Sequence, residues 1–111
     1  MTYPIKILPQ ALAEIQEAYQ WMESTIGLDI AVKWYHELLL SVRSLEQMPQ
    51  RCSLAPEGGQ FDKEIRQLLV GKKRTYRVLF TVEDSTVYIL HVCHTRKARF
   101  TEGELGLEDI E

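Results

Sequence analysis

Cysteine is scarce in this 111-residue chain, with Cys52 and Cys93 alone. Two thiols are too few for the disulfide framework of a small secreted domain, so both are expected as free, small hydrophobes. Glycine (6) and proline (4) are also sparse, against 45% hydrophobic and 26% charged residues. That balance excludes disordered and fibrous classes and describes a chain able to bury a core. No apolar run approaches the roughly 20 residues of a membrane span, and Met1-Thr2-Tyr3-Pro4-Ile5-Lys6 lacks the apolar core of a signal peptide. A cytoplasmic protein without a membrane partner is expected. There is no Gly-rich phosphate loop and no nucleophile elbow, so neither nucleotide hydrolysis nor serine acyl transfer is supported, and no cofactor is expected.

What the chain does have is charge unevenly placed. From Lys63 to Arg99 it carries nine Lys and Arg (Lys63, Arg66, Lys72, Lys73, Arg74, Arg77, Arg96, Lys97, Arg99) against Glu64, Glu83 and Asp84, a net +6 inside a chain whose total is −3. The remainder is therefore −9. A basic stretch within an acidic protein points to a localised anionic partner, either a phosphate backbone or an acidic peptide. Residues 101–111 form an acidic tail carrying Glu102, Glu104, Glu108, Asp109 and Glu111, beyond a single domain of residues 1–100.

Periodicity orders the domain. Tyr3 to Leu8 alternates as a short first strand, and Pro9 fits the first turn of a helix running from about Gln10 to Thr25. Leu12, Ile15, Tyr19 and Met22 form its stripe, and Gly27 supplies positive φ after it. Asp29 can cap a second helix whose stripe is Ala31, Trp34, Leu38, Val42 and Leu45, widened by Tyr35, Leu39 and Met48, and which ends before Pro49. Trp21, Trp34, Met22 and Met48 at helical spacing read as core. After a loop from Gln50 to Asp62 come three strands, Arg66 to Val70, Thr75 to Val82 and Thr86 to His94, with a tight turn at Glu83-Asp84-Ser85. The expected fold is α+β, with an antiparallel helical hairpin packed on one face of the sheet and a three-stranded antiparallel meander completing it.

Strict alternation sets Tyr76, Val78, Phe80 and Val82 toward the core, and Arg77, Leu79 and Thr81 on the other face. On the last strand it groups Tyr88, Leu90, Val92 and His94 against Ile89, His91 and Cys93. Both faces are then partly apolar, which predicts that the face away from the helices is an exposed partner surface on which Arg77 stands without a packing reason. Alternation also leaves His91 and Cys93 together without His94, two ligands where zinc takes three or four, so no metal is expected.

This order of elements resembles the RelE/ParE toxin superfamily of bacterial toxin-antitoxin modules over about residues 3–99. The residues that carry it are the helical hairpin ending in Met48-Pro49, then Ile65-Arg66-Gln67-Leu68-Leu69-Val70-Gly71, Tyr76-Arg77-Val78-Leu79-Phe80, and Ile89-Leu90-His91-Val92-Cys93-His94-Thr95-Arg96. The His-x-Arg ending is most similar to the ParE, or plasmid-stabilisation, branch. The resemblance implies a growth-arresting toxin, a cognate antitoxin protein as partner and a hetero-oligomer of the two.

It also implies two alternative targets. RelE-like members cleave messenger RNA on the ribosome without a metal, using basic side chains that orient the 2′-hydroxyl and stabilise the scissile phosphate. An arginine suits that task because its planar fork pairs two phosphate oxygens. By this resemblance Arg77, Arg96 and Arg66 are the catalytic candidates. His94 joins them as an acid or base. The same histidine equally suits a half-buried strand end bonded to backbone. Lys72, Lys73, Arg74, Lys97 and Arg99 would contact RNA or another target. Leu68 stands near Arg66 where a further basic residue is usual, and Phe100 cannot transfer a proton where RelE-like enzymes place a tyrosine. ParE-like members act on DNA gyrase without being nucleases, and the incomplete catalytic set favours that branch. A toxin-fold interaction module lacking both activities is the third reading.

Overall fold

The computed structural model describes residues 2–57, 63–71, 75–96 and 110. Strand β1 (Ile5–Ile7) leads into helix α1 (Pro9–Thr25), and helix α2 (Leu28–Ser44) follows. A 3-10 turn (Pro49–Arg51) precedes β2 (Arg66–Val70), β3 (Tyr76–Glu83) and β4 (Thr86–His94). The sheet order is β1-β4-β3-β2, with β1 parallel to β4 and the other pairs antiparallel. The α+β arrangement expected from the sequence is the one observed.

Local chemistry explains the boundaries. Pro9 occupies the first turn of α1, where its missing N–H costs nothing. The N–H groups of Ile26 and Gly27 both donate to Met22 O, and Gly27 (φ 149°) then turns the chain into α2. This φ disfavours any residue with a Cβ. Asp29 was expected to cap α2, but Gly27 takes that position and Asp29 lies in the first turn, facing the positive end of the helix dipole. The second helix ends at Ser44, before Pro49 as expected, which leaves Met48 beyond it. The guanidinium of Arg51 folds back there and donates to the carbonyls of Ser44, Gln47 and Met48 and to Ser44 Oγ, satisfying acceptors the helix leaves open.

Helix-side packing follows the stripes in part. Ala11, Ile15 and Met22 of α1 and Ala31, Trp34, Leu38 and Val42 of α2 are buried against Val70, Val78, Phe80, Val87, Ile89 and Val92. Four residues expected in these stripes lie outside the core, with Leu12 46%, Tyr35 40%, Leu39 39% and Met48 71% exposed. Trp21 is likewise 55% exposed. The buried stripe is narrower than the apolar one and runs through Ala11, Ile15, Ala18 and Met22 on α1 and Ala31, Trp34, Leu38 and Val42 on α2.

The sheet's second face differs from its expectation. A bulge shifts the register, pairing Leu79 with His91 but Phe80 with Ile89, so Leu90 is an extra residue on β4. Beyond it the phase reverses. Val92 joins Ile89 in the helix-side core, and Cys93 joins Leu90 on the far side. That far side is covered. Leu8, Ala55, Ile65, Leu79, Leu90 and Cys93 form a second buried cluster, with Tyr88 and Ile110 packed on it.

The cover is the segment Cys52–Glu57. Its backbone pairs with the start of β2 and the residue before it, through Ala55 N to Ile65 O (2.7 Å) and Gln67 N to Ser53 O (3.0 Å). This lays a strap along part of the β2 edge, so the expected bare partner surface is a second small core.

Candidate functional site

Arg77 stands on the sheet face away from the helices, as alternation predicts, but that face is covered. It projects from β3 onto the strapped face, 6% exposed. Its Nη1 donates to Glu57 Oε1 at 3.0 Å and its Nη2 to Glu57 Oε2 at 2.5 Å, while Nη1 also reaches Gln67 Oε1 at 3.3 Å. The Glu57 side chain is fully buried. This two-pronged bond to Glu57 raises the Arg77 pKa above its ordinary value, outweighing desolvation. The expectation of an arginine without a packing reason is therefore corrected. The guanidinium clasps the strap to the sheet, and its donors are directed at an internal carboxylate.

Arg66 lies on the opposite face, because its cross-strand partner is Phe80, a helix-side core residue. It donates to Cys52 O at 2.6 Å and to Glu64 Oε1 at 3.3 Å, fastening the start of the strap. His94 pairs across the sheet with Tyr76 and packs on its ring, with centroids 5.4 Å apart. Tyr76 and the Phe80 opposite Arg66 are four residues apart on β3, or about 13 Å along the strand. Arg96 follows β4 and is exposed, and its N–H donates to His94 Nδ1 at 3.0 Å. The proton of a neutral His94 then sits on Nε2.

Among the described residues, the four catalytic candidates do not converge. Only His94 and Arg96 are neighbours. Lys72, Lys73, Arg74, Lys97 and Arg99 lie outside the described residues, as does the acidic tail except for Ile110.

The His91, Cys93 and His94 run separates further than alternation suggested. His91 Nδ1 lies 3.0 Å from both oxygens of Glu14 on α1, and the same carboxylate accepts the Val92 N–H at 3.0 Å. Cys93 is buried beside Arg77, and desolvation pushes its thiol pKa up. Among the described residues no group of three His, Cys, Asp or Glu side chains is placed to hold a metal ion.

Two features were missed by sequence reasoning. The first is Glu57, whose carboxylate sits in a loop outside the basic stretch and could be found from the sequence only by asking what a mid-strand arginine pairs with across the whole chain. The second is an apolar groove of about 260 Å³ between the helices, lined by Leu12, Ile15, Gln16, Tyr19, Val32 and Tyr35. Tyr19 and Tyr35 meet edge to face there at 5.8 Å. An exposed aromatic and aliphatic groove of this kind is a partner surface in form.

No relative emerges by sequence among curated proteins. Among solved structures, a chain of the chromosomal ParDE TA system from P. aeruginosa superposes with a TM-score of 0.69 at 19% identity, covering 84% of this chain and 96% of that one. A chain of the toxin-antitoxin complex RelBE2 from Mycobacterium tuberculosis gives 0.55 at 17% identity, covering 87% and 95%. These likenesses establish the shared fold. The family model for the ParE toxin of the type II toxin-antitoxin system parDE matches residues 5–99, nearly the whole domain and every strand and helix described above, so the chain belongs to the ParE toxin family of type II toxin-antitoxin systems.

Proposed function

We propose that this toxin arrests growth by binding DNA gyrase, not by cutting RNA. The observation that carries the reading is the buried Arg77–Glu57 pair. The sheet arginine that would meet a scissile phosphate in a ribosome-dependent nuclease already directs both terminal nitrogens at a carboxylate of its own chain. Arg66 on the other face, also committed, adds to the argument. Transition-state stabilisation needs donors preorganised toward the reacting phosphate, and neither arginine supplies them. The exposed Arg96, with Lys72, Lys73, Arg74, Lys97 and Arg99, then serves as target-contacting charge in the cytoplasm.

His94 beside Arg96 is the observation that favours the second reading, a metal-independent mRNA endonuclease, since an imidazole and a guanidinium two residues apart can move a proton and hold a phosphate. Neutralisation comes from a cognate antitoxin in a hetero-oligomer. The groove between α1 and α2 is the seat this reading assigns to it, in place of the far sheet face, because the groove is open where that face is strapped. The test is to add the purified chain to gyrase supercoiling and cleavage reactions and, separately, to a translation reaction with mapped message ends. Trapped gyrase–DNA complexes support the proposal. Message cleavage at the ribosomal A site assigns the enzyme instead, and silence in both leaves an interaction module.

A further inference from the structure

Beside the end of β4 lies a cleft of about 380 Å³, separate from the groove between the helices and sharing only His94 with the catalytic candidates. Glu14, Glu17 and Trp21 line one wall at successive turns of α1, and Tyr76 and His94 line the other. Its composition is specific. Trp21 presents its indole at 55% exposure, although burying a tryptophan is among the larger gains open to a folded chain. Tyr76 and His94 meet edge to face, and Trp34 backs Tyr76 at 5.1 Å, so that wall is built of packed rings. Glu14 is held by His91 and the Val92 N–H, whereas Glu17, one turn on, makes no ion pair among the described residues. An uncompensated carboxylate next to exposed and half-exposed rings is complementary to a planar cation. A guanidinium lies flat on an indole while its edge donors reach a carboxylate.

We infer that this cleft receives an arginine side chain of the antitoxin, stacked on Trp21 and paired with Glu17. The inference rests on the toxin-antitoxin reading and adds to it a contact of opposite sign. The +6 stretch attracts acidic residues of a partner, and this cleft demands one basic residue among them. Two charges of opposite sign a fixed distance apart set the direction in which a segment lies, which a purely acidic peptide on a basic face does not.

The test has a direct arm and a partner arm. N-acetyl-arginine amide is titrated into the full chain while the two indole N–H signals are followed by NMR, with Trp21→Phe assigning them. N-acetyl-citrulline amide serves as the uncharged isostere. The expected result is a saturable shift of the Trp21 signal with the arginine amide, reduced at least fivefold in affinity by Glu17→Gln and absent with the citrulline amide. In the partner arm, Glu17→Gln and Trp21→Ala each weaken binding of the neighbouring gene's product by about tenfold, while thermal melts show both variants folded. Equal shifts with citrulline, shifts unchanged in Glu17→Gln, or an unaltered complex in both variants overturns the inference. Growth arrest on expression is a separate readout. If the chain arrests growth and the neighbour rescues it while the cleft experiments fail, the toxin reading stands and the arginine contact falls. If neither arrest nor neighbour binding occurs, the toxin reading itself falls and the assignment of the occupant goes with it.

Discussion

Glu57 and Arg77, twenty residues apart in the chain, join through two hydrogen bonds of 3.0 and 2.5 Å with the carboxylate fully buried and the guanidinium side chain 7% exposed. Breaking a pair of this kind leaves one charge buried without its partner. Arg77→Ala and Glu57→Ala are each expected to cost about 3 to 5 kcal/mol, whereas replacing both by apolar residues of similar volume recovers most of that loss. Urea unfolding of the three proteins decides it. Single variants as stable as the parent would return Arg77 to a role outside the fold.

Glu14 ties α1 to the bulge in β4 by accepting the Val92 N–H and meeting His91. Glu14→Gln keeps an acceptor for Val92 and should lose less stability than Glu14→Ala, which is expected to cost about 1 to 3 kcal/mol for the donor left buried. Amide exchange at Val92 offers the local readout, with much faster exchange in the alanine variant only.

The β3–β4 hairpin turns through Asp84 (φ 51°) and Ser85 (φ 64°), two left-handed residues in the two-residue loop geometry whose second position favours glycine. Ser85→Gly should raise stability by about 0.5 to 1 kcal/mol, since the relief of the Cβ clash exceeds the entropy added to the unfolded chain. An unchanged or lower denaturation midpoint would contradict the strain argument.

Burial raises the pKa of Cys52, Cys93 and Tyr76, desolvation being the leading cause in each. Each group then holds its proton in the folded chain to a higher pH than in the unfolded one. Stability contributed this way is complete below the unfolded thiol value of about 8.5 and declines as pH rises through the folded values. Melting temperature should therefore fall progressively above that pH. Iodoacetamide should leave both thiols unmodified near neutral pH in the native state. Rapid labelling under those conditions would show that burial is not controlling them.

The break between the helices and the sequence of the strands were legible because they are local. Pro9, Gly27 and the Asp84-Ser85 turn announce themselves within a few residues. What escaped was non-local or depended on a single inserted residue. Leu90 as a bulge reverses the phase of everything after it, so Val92 and Cys93 exchange faces, and no alternation count can foresee that. Leu12 and Tyr35 satisfy the helical period yet stay outside, because the buried face runs through Ala11 and Ala31 beside them, and Met48 lies beyond the end of the helix. The clasp on Arg77 was hidden for a similar reason. Its partner lies in a loop judged by composition alone, and sequence distance says nothing about what that loop covers.

The parallel pairing of β1 with β4 governs the order in which this molecule can assemble. Ile5 finds its neighbour at Val87, so the first strand to leave the ribosome waits for the last one before the sheet can close. Until Thr86–His94 has been made, α1 and α2 can pair with each other but have no β4 surface to lie on, and the main apolar core lacks Val87, Ile89 and Val92. A chain cut short anywhere before β4 is consequently missing Val87, Ile89 and Val92 from its main core, and with them Arg96, Lys97 and Arg99 of its basic end.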